Sequence, residues 1–288
     1  MPAPSELLPR DPVSQGPFAY KPLSRDVDSI RLLTLQPSDQ EPAKGKTNPE
    51  VRCKLSHVTF AEKPQYQALS YTWGDPHHLK EIILDGVRVK VRENLFWALF
   101  HLRSSTPIFL WADAICIDQS NPEERSYQVR LMDYIYSRAS CVLVWLGKTS
   151  AVTRVRNREF FQELISHPYW SRLWVIQEIA LSMKLQVRVE SYSFTWTEFL
   201  LEIKRSIPEG RRMPITRLDD LRRDRNGPNN RLEVLMEAFQ DAQCADPRDK
   251  IFGFLGLAHD CQDGTIEADY TKPLFHLYAD VIAFFSRS

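Results

Sequence analysis

The run Ile108-Phe-Leu-Trp-Ala-Asp-Ala-Ile-Cys-Ile117 leads through Asn121-Pro-Glu-Glu124 to a second run, Cys141-Val-Leu-Val-Trp-Leu146. Neither run alternates apolar with polar residues, and such a strand needs cover on both faces, as the strands of parallel sheets have. The interval between them starts a helix: Asn121 can cap it, Pro122 suits its first position, and Glu123 and Glu124 sit on the positive end of its dipole. Val129, Met132, Tyr136 and Ala139 form its apolar stripe. Strand, helix and parallel strand make a right-handed crossover unit, so the chain reads as an α/β fold, a parallel sheet flanked by helices.

Upstream, Ile30 to Leu35, Val51 to Phe60 and Tyr66 to Trp73 read as strands, with a Pro/Gly/Lys loop at 37–49 between the first two. Glu81 to Val91 carries Asp85-Gly86 between β-branched runs, a hairpin signal, and a helix follows in which Asn94 is the expected cap and Leu95, Ala98, Leu99 and Leu102 the apolar face. Downstream, Tyr169 to Leu181 reads as a helix on which Trp170, Trp174 and Glu178, four apart, share a face. The strands ending at Trp73, Ile117 and Leu146 are expected to be parallel neighbours. A further helix spans 231–240, Asp246 and Pro247 are expected to open another, and Tyr278 to Phe285 reads as an unfinished one.

The 288 residues carry 37 Lys+Arg against 37 Asp+Glu, and a nucleic-acid or anionic-membrane binder would normally hold a basic excess. No apolar run approaches the ~18 residues of a membrane span, and no signal peptide opens the chain, so a cytoplasmic, reducing location is expected. The five cysteines are odd in number and widely spaced, which fits free thiols. Residues 1–22 read as a loosely ordered extension and 23–288 as one domain. Within it the α/β core covers about 66–190, an Arg/Asp-rich solvated insertion 204–231, and a helical part 231–288.

Gly147-Lys148-Thr149 ends like a phosphate-binding loop, but its first glycine would fall on Val142, inside the strand. No spacing suits a metal, so none is expected, and Cys116 lacks the frame of a nucleophile. What remains is positional, because open parallel sheets bind ligands outside the carboxyl ends of their strands. Those ends carry Ser70 to Asp75, Asp118-Gln119 and Gly147-Lys148, followed by the helix of Glu178. A carboxylate with indoles at Trp170 and Trp174, near Tyr71 and Trp73, suits a flat, partly cationic ligand. The alternative is a core aromatic stripe with Glu178 paired to Arg172 or Arg138.

Six blocks, Tyr66 to Asp75, Leu110 to Gln119, Glu124 to Tyr136, Val144 to Gly147, Trp170 to Glu178 and Asp246 to Gly256, resemble in order the heterokaryon-incompatibility (HET) domain of filamentous fungi. The resemblance implies a cell-death effector of allorecognition, an innate-immunity role, with an upstream recognition protein as a partner. HET domains in turn resemble Toll/interleukin-1 receptor (TIR) domains, several of which hydrolyse NAD. That second resemblance implies a TIR-like core, no cofactor, NAD or a related nucleotide as substrate, and Glu178 in the catalytic place. One carboxylate suffices for this chemistry, since nicotinamide leaves neutral and the oxocarbenium-like transition state needs only a nearby negative charge. Tyr71, Trp73 and Trp174 would then bind rings and Arg125 or Arg172 the diphosphate. Asp113 and Asp118 either contact a ribose or serve the backbone. The rival expectation is a non-enzymatic module that signals by self-association.

Overall fold

The computed structural model describes residues 18–24, 26–37, 50–148, 158–206, 213–225, 227 and 230–287; the 37–49 loop falls almost wholly outside them, as do parts of the 204–231 insertion. Among the described residues, nine strands form one sheet in the order β5-β4-β2-β1-β6-β3-β7-β8-β9. They are β1 Ser29–Leu35, β2 Arg52–Thr59, β3 Gln67–Tyr71, β4 Leu79–Leu84, β5 Val87–Arg92, β6 Ile108–Trp111, β7 Cys141–Trp145, β8 Leu185–Val189 and β9 Tyr192–Thr195. Around them run α1 Glu93–Leu102, α2 Asp113–Cys116, α3 Pro122–Arg130, α4 Met132–Arg138, α5 Arg158–Ile165, α6 Trp174–Ala180, α7 Trp196–Ser206, α8 Pro214–Arg223, α9 Leu232–Ala238, α10 Asp249–Leu255 and α11 Leu274–Phe285.

The three expected strands are parallel neighbours: β3 pairs with β6 (Ala68 opposite Trp111) and with β7 (Leu69 opposite Leu143), and β7 pairs in parallel with β8. Numbered along the chain, this parallel group has the order 2-1-3-4 of a doubly wound fold, whose order reverses between β3 and β7. The N-terminal strands join the same sheet, β1 lying antiparallel to β6. Asp85 and Gly86 both take positive φ, 49° and 79°, as a two-residue hairpin turn requires. Unforeseen, β9 folds back on β8, although Leu185-Gln-Val-Arg-Val189 alternates as a half-buried strand should.

Three expectations are corrected. The 108–117 run is strand only to Trp111; Asp113–Cys116 coil into one helical turn. A run buried on all sides has no period, so apolarity alone cannot separate strand from helix. Asn121 caps α3 as expected, accepting from the Glu123 and Glu124 amides, but Asn94 lies inside α1, which Arg92 precedes as the capping residue. The insertion is not simply solvated: α8 buries Ile215, Leu218 and Asp219, whose carboxylate accepts from Trp196 Nε1 at 2.7 Å. Of the 1–22 extension, residues 1–17 lie outside the described residues; near its end Tyr20 donates its hydroxyl to the Ile115 carbonyl at 3.0 Å and stacks on Arg31. No described helix is long and apolar enough to cross a membrane, and the five cysteines are free thiols, four of them buried.

Candidate functional site

The pleat of β3 decides what can meet at its carboxyl end, since successive side chains point to opposite faces. Tyr66 and Ser70 face α4 and α6, where the Tyr66 hydroxyl donates to the Ile135 carbonyl at 2.7 Å. Tyr71 faces the other way, toward Leu95 of α1 and the β4–β5 hairpin. The two halves of the expected site therefore lie on opposite sides of the sheet: Glu178 on one, Tyr71 and Trp73 on the other.

On the first side, Glu178 is 4% exposed. Its Oε2 accepts from the Ser70 hydroxyl. Ser70 has one proton to give, so the Tyr169 hydroxyl, 2.5 Å away, donates to Ser70 in turn. Burial pushes the Glu178 carboxyl up to about 7, against the pull of the Arg172 charge and the Ser70 hydrogen bond. Burial likewise holds the Tyr169 and Tyr136 hydroxyls well above the ordinary tyrosine range, with the Glu178 charge adding to it. This relay is closed off from solvent.

Gln243 explains why the expected 169–181 helix breaks at Arg172. Pro168–Ser171 form a 3₁₀ turn, Arg172 is extended, and α6 begins only at Trp174. Leu173 N donates to the Gln243 carbonyl at 2.8 Å and Gln243 N to that of Ser171 at 2.6 Å, which clamps the extended residue in a bridge. The guanidinium of Arg172 then reaches the Tyr71 carbonyl. Trp170 consequently leaves the face of Trp174 and Glu178. It packs on Phe199 and donates to the Leu164 carbonyl at 2.7 Å, as a core residue.

Of the remaining candidates, Asp113 accepts from Trp73 Nε1 at 2.7 Å and from the Ala114 amide at 2.8 Å; burial raises its carboxyl, and Arg172 is the largest opposing charge. Asp118 makes a turn with Ser120 N at 3.1 Å rather than capping α3. Arg125 sits over the Tyr270 ring at 4.1 Å, and Trp174 Nε1 donates to Asp249 at 3.0 Å. Both belong to the seam between the core and the C-terminal helices. The structure thus couples Glu178, Arg172 and Asp113 electrostatically, holds Asp113 against Trp73 and Tyr71 on the far face, and takes Asp118, Arg125 and Trp174 elsewhere.

Sequence reasoning missed Asn94 and Tyr169. From inside α1, Asn94 donates to the Thr72 carbonyl at 2.6 Å and accepts from Trp145 Nε1 at 2.9 Å. It thereby bridges the ends of β3 and β7 where the strand order reverses. A Cβ on Gly74 or Gly147 would lie 3.4 or 3.5 Å from Asn94 atoms, and both glycines have φ near +80°. The crevice where doubly wound folds bind ligands is here filled by the protein's own side chain. A polar residue amid an apolar helical stripe was the signal available for it. Among the described residues no cluster of three His, Cys, Asp or Glu could hold a metal ion.

Residues 66–159 match the family described as "Heterokaryon incompatibility protein (HET)". That match spans about a third of the chain. The HET region supplies β3, the β4–β5 hairpin, β6 and β7, and stops short of Glu178. The chain is also 39% identical over 154 residues to "Heterokaryon incompatibility protein 6, OR allele" of Neurospora crassa (strain ATCC 24698 / 74-OR23-1A / CBS 708.71 / DSM 1257 / FGSC 987), a match covering 48% of this chain and 22% of that protein. The chain therefore spans about a fifth of the length of that curated relative. No solved structure matches it.

Proposed function

We propose that this chain acts in fungal nonself recognition, as the part of a heterokaryon-incompatibility protein that triggers cell death, and that it signals by contact with itself or with an upstream recognition protein. The HET match and the identity to the Neurospora crassa relative support the biological role. The observation that carries the mode of action is the burial of Glu178, 4% exposed beneath Ser70 and Tyr169. A substrate cannot reach that carboxylate without parting the relay.

The second reading is hydrolysis of NAD at the nicotinamide–ribose bond by Glu178, as the resemblance to TIR domains implies. What favours it is the place of Glu178 against the last residues of a central parallel strand, with a cation, Arg172, beside it. Against it stands the raised pKa. A carboxyl near 7 is about half neutral at neutral pH, and only the ionised form stabilises a developing cation.

One experiment separates the two. Wild type and Glu178→Gln are expressed in fungal hyphae under an inducible promoter, and the purified proteins are incubated with NAD at high concentration while nicotinamide release is followed. Signalling by contact predicts killing by both proteins and no nicotinamide. Hydrolysis predicts nicotinamide and killing from wild type alone.

A further inference from the structure

On the far side of β3 from Glu178, a cavity of about 330 Å³ lies between the β4–β5 hairpin, α2 and the N-terminal segment. Its size falls at the lower end of small-molecule sites, ~300 to 1,000 Å³. Leu84, Val91, Leu95 and Ile115 give it a buried apolar floor, Tyr71 and Trp73 form aromatic walls, and the exposed Leu79 stands at its edge.

Three features give this cleft chemical character. Trp73 is fixed: its Nε1 donates to Asp113 at 2.7 Å, and the Arg92 guanidinium lies 5.0 Å from its ring centroid while donating to the Gly74 carbonyl at 2.8 Å. Tyr71 is one of the lining residues, and burial, then the neighbouring Asp113 carboxylate, hold its hydroxyl well above the ordinary tyrosine range. The charge is one-sided. Lys90 and Arg92 line the cleft and no Asp or Glu does, whereas the larger cavity of about 680 Å³ beside Arg31 is lined by Asp118, Glu123, Glu267 and Asp269. Lys90 is exposed, and the Arg92 guanidinium bonds to a carbonyl rather than a carboxylate.

We propose that this cleft binds a small ligand consisting of a planar aromatic ring that carries a negatively charged group. The ring lies against Tyr71, Trp73 and the apolar floor, and the anion sits at the Lys90–Arg92 rim. The proposal does not depend on Glu178 or on NAD hydrolysis, because the sheet separates the two places.

The test titrates the whole chain calorimetrically with AMP, with indole-3-acetate and with adenosine. Saturable binding of AMP, of indole-3-acetate or of both supports the site; AMP alone identifies a nucleotide, indole-3-acetate alone an aromatic acid, and both the shared chemistry. Adenosine should bind about tenfold or more weakly than AMP if AMP binds, since it lacks the charge-assisted contacts. Arg92→Gln should weaken the bound anion by about tenfold. Lys90→Gln changes an exposed side chain at the rim, so it should melt at the wild-type temperature and still bind several-fold more weakly. Binding of neither anion overturns the proposal. So does adenosine binding as tightly as AMP, or unchanged affinity in both variants.

Discussion

Glu178 fastens one face of the β3 end and Asn94 the other, and each has a physical signature that a surface residue would lack. For Glu178 it is pH dependence. Its folded pKa, about 7, stands above the ordinary value of 4.5, so the folded state holds a proton that the unfolded state releases. Stability therefore falls as pH rises from about 4.5 to 7, by about 3 kcal/mol from this group. Glu178→Gln cannot ionise. Thermal melts of both proteins at pH 5 and pH 8 should show wild type losing stability that the variant keeps; parallel losses would mean Glu178 does not carry the effect. Asn94 invites a different substitution. Serine caps helices as well as asparagine does, yet it is too short to span Thr72 and Trp145. Asn94→Ser should therefore cost about 1 to 3 kcal/mol by leaving the buried Trp145 indole N–H without its acceptor. Near-wild-type stability in urea titrations would restore the capping role.

At the scale of elements, the strands were legible wherever apolar runs were bounded by turn chemistry: β3, β7 and the Asp85-Gly86 hairpin all lie where the sequence places them. The break before α6 was not legible, because it is made by Gln243, far along the chain, and a helical spacing of Trp170, Trp174 and Glu178 carries no trace of that partner. The site failed for a related reason: spacing put Tyr71, Trp73 and Glu178 at one strand end, and only the pleat assigns them to opposite faces. Nor did Asp246 open α10 as expected. It accepts from the Arg248 amide at 3.0 Å and pairs with its guanidinium at 2.7 Å, while the helix starts at Asp249. The glycines of this block do what the sequence left unexplained. A Cβ on Gly253 would fall 2.0 Å from Leu173 Cδ2, and one on Gly256 would fall 2.3 Å from Gln177 Nε2. Both hold α10 close against α6. Gly253→Ala should cost about 1 to 3 kcal/mol through overpacking, and pairing it with Leu173→Ala should return part of that loss. Additive losses in the double-mutant cycle would show that the two residues do not compete for space.

At the scale of the molecule, the HET match ends at residue 159, but the contacts that hold the fold run well beyond it on both sides. Arg31 of β1 is fully buried, with its guanidinium bonded to Glu124 at 2.5 and 2.9 Å, to the Cys116 carbonyl at 3.1 Å and to the Lys21 carbonyl at 2.8 Å. Without β1, Glu124 loses its partner, and the core side chains packed against Ile30, Leu33 and Leu35 lose their cover. The same cut exposes the edge of β6 where Leu33 pairs with Leu110, and a bare apolar edge invites aggregation. At the other end, Asp249 receives Trp174 Nε1 at 3.0 Å and the Tyr270 hydroxyl at 2.5 Å, so the C-terminal helices cover the face of α6 that Leu173 and Trp174 present. Residues 66–190 should therefore not fold alone. Expressed as a fragment, they should lack near-ultraviolet circular dichroism and melt without a cooperative transition, whereas the whole chain should unfold in a single step. A cooperative melt of the fragment, with a urea dependence in proportion to its length, would make the flanking strands and helices accessories to a core that stands by itself.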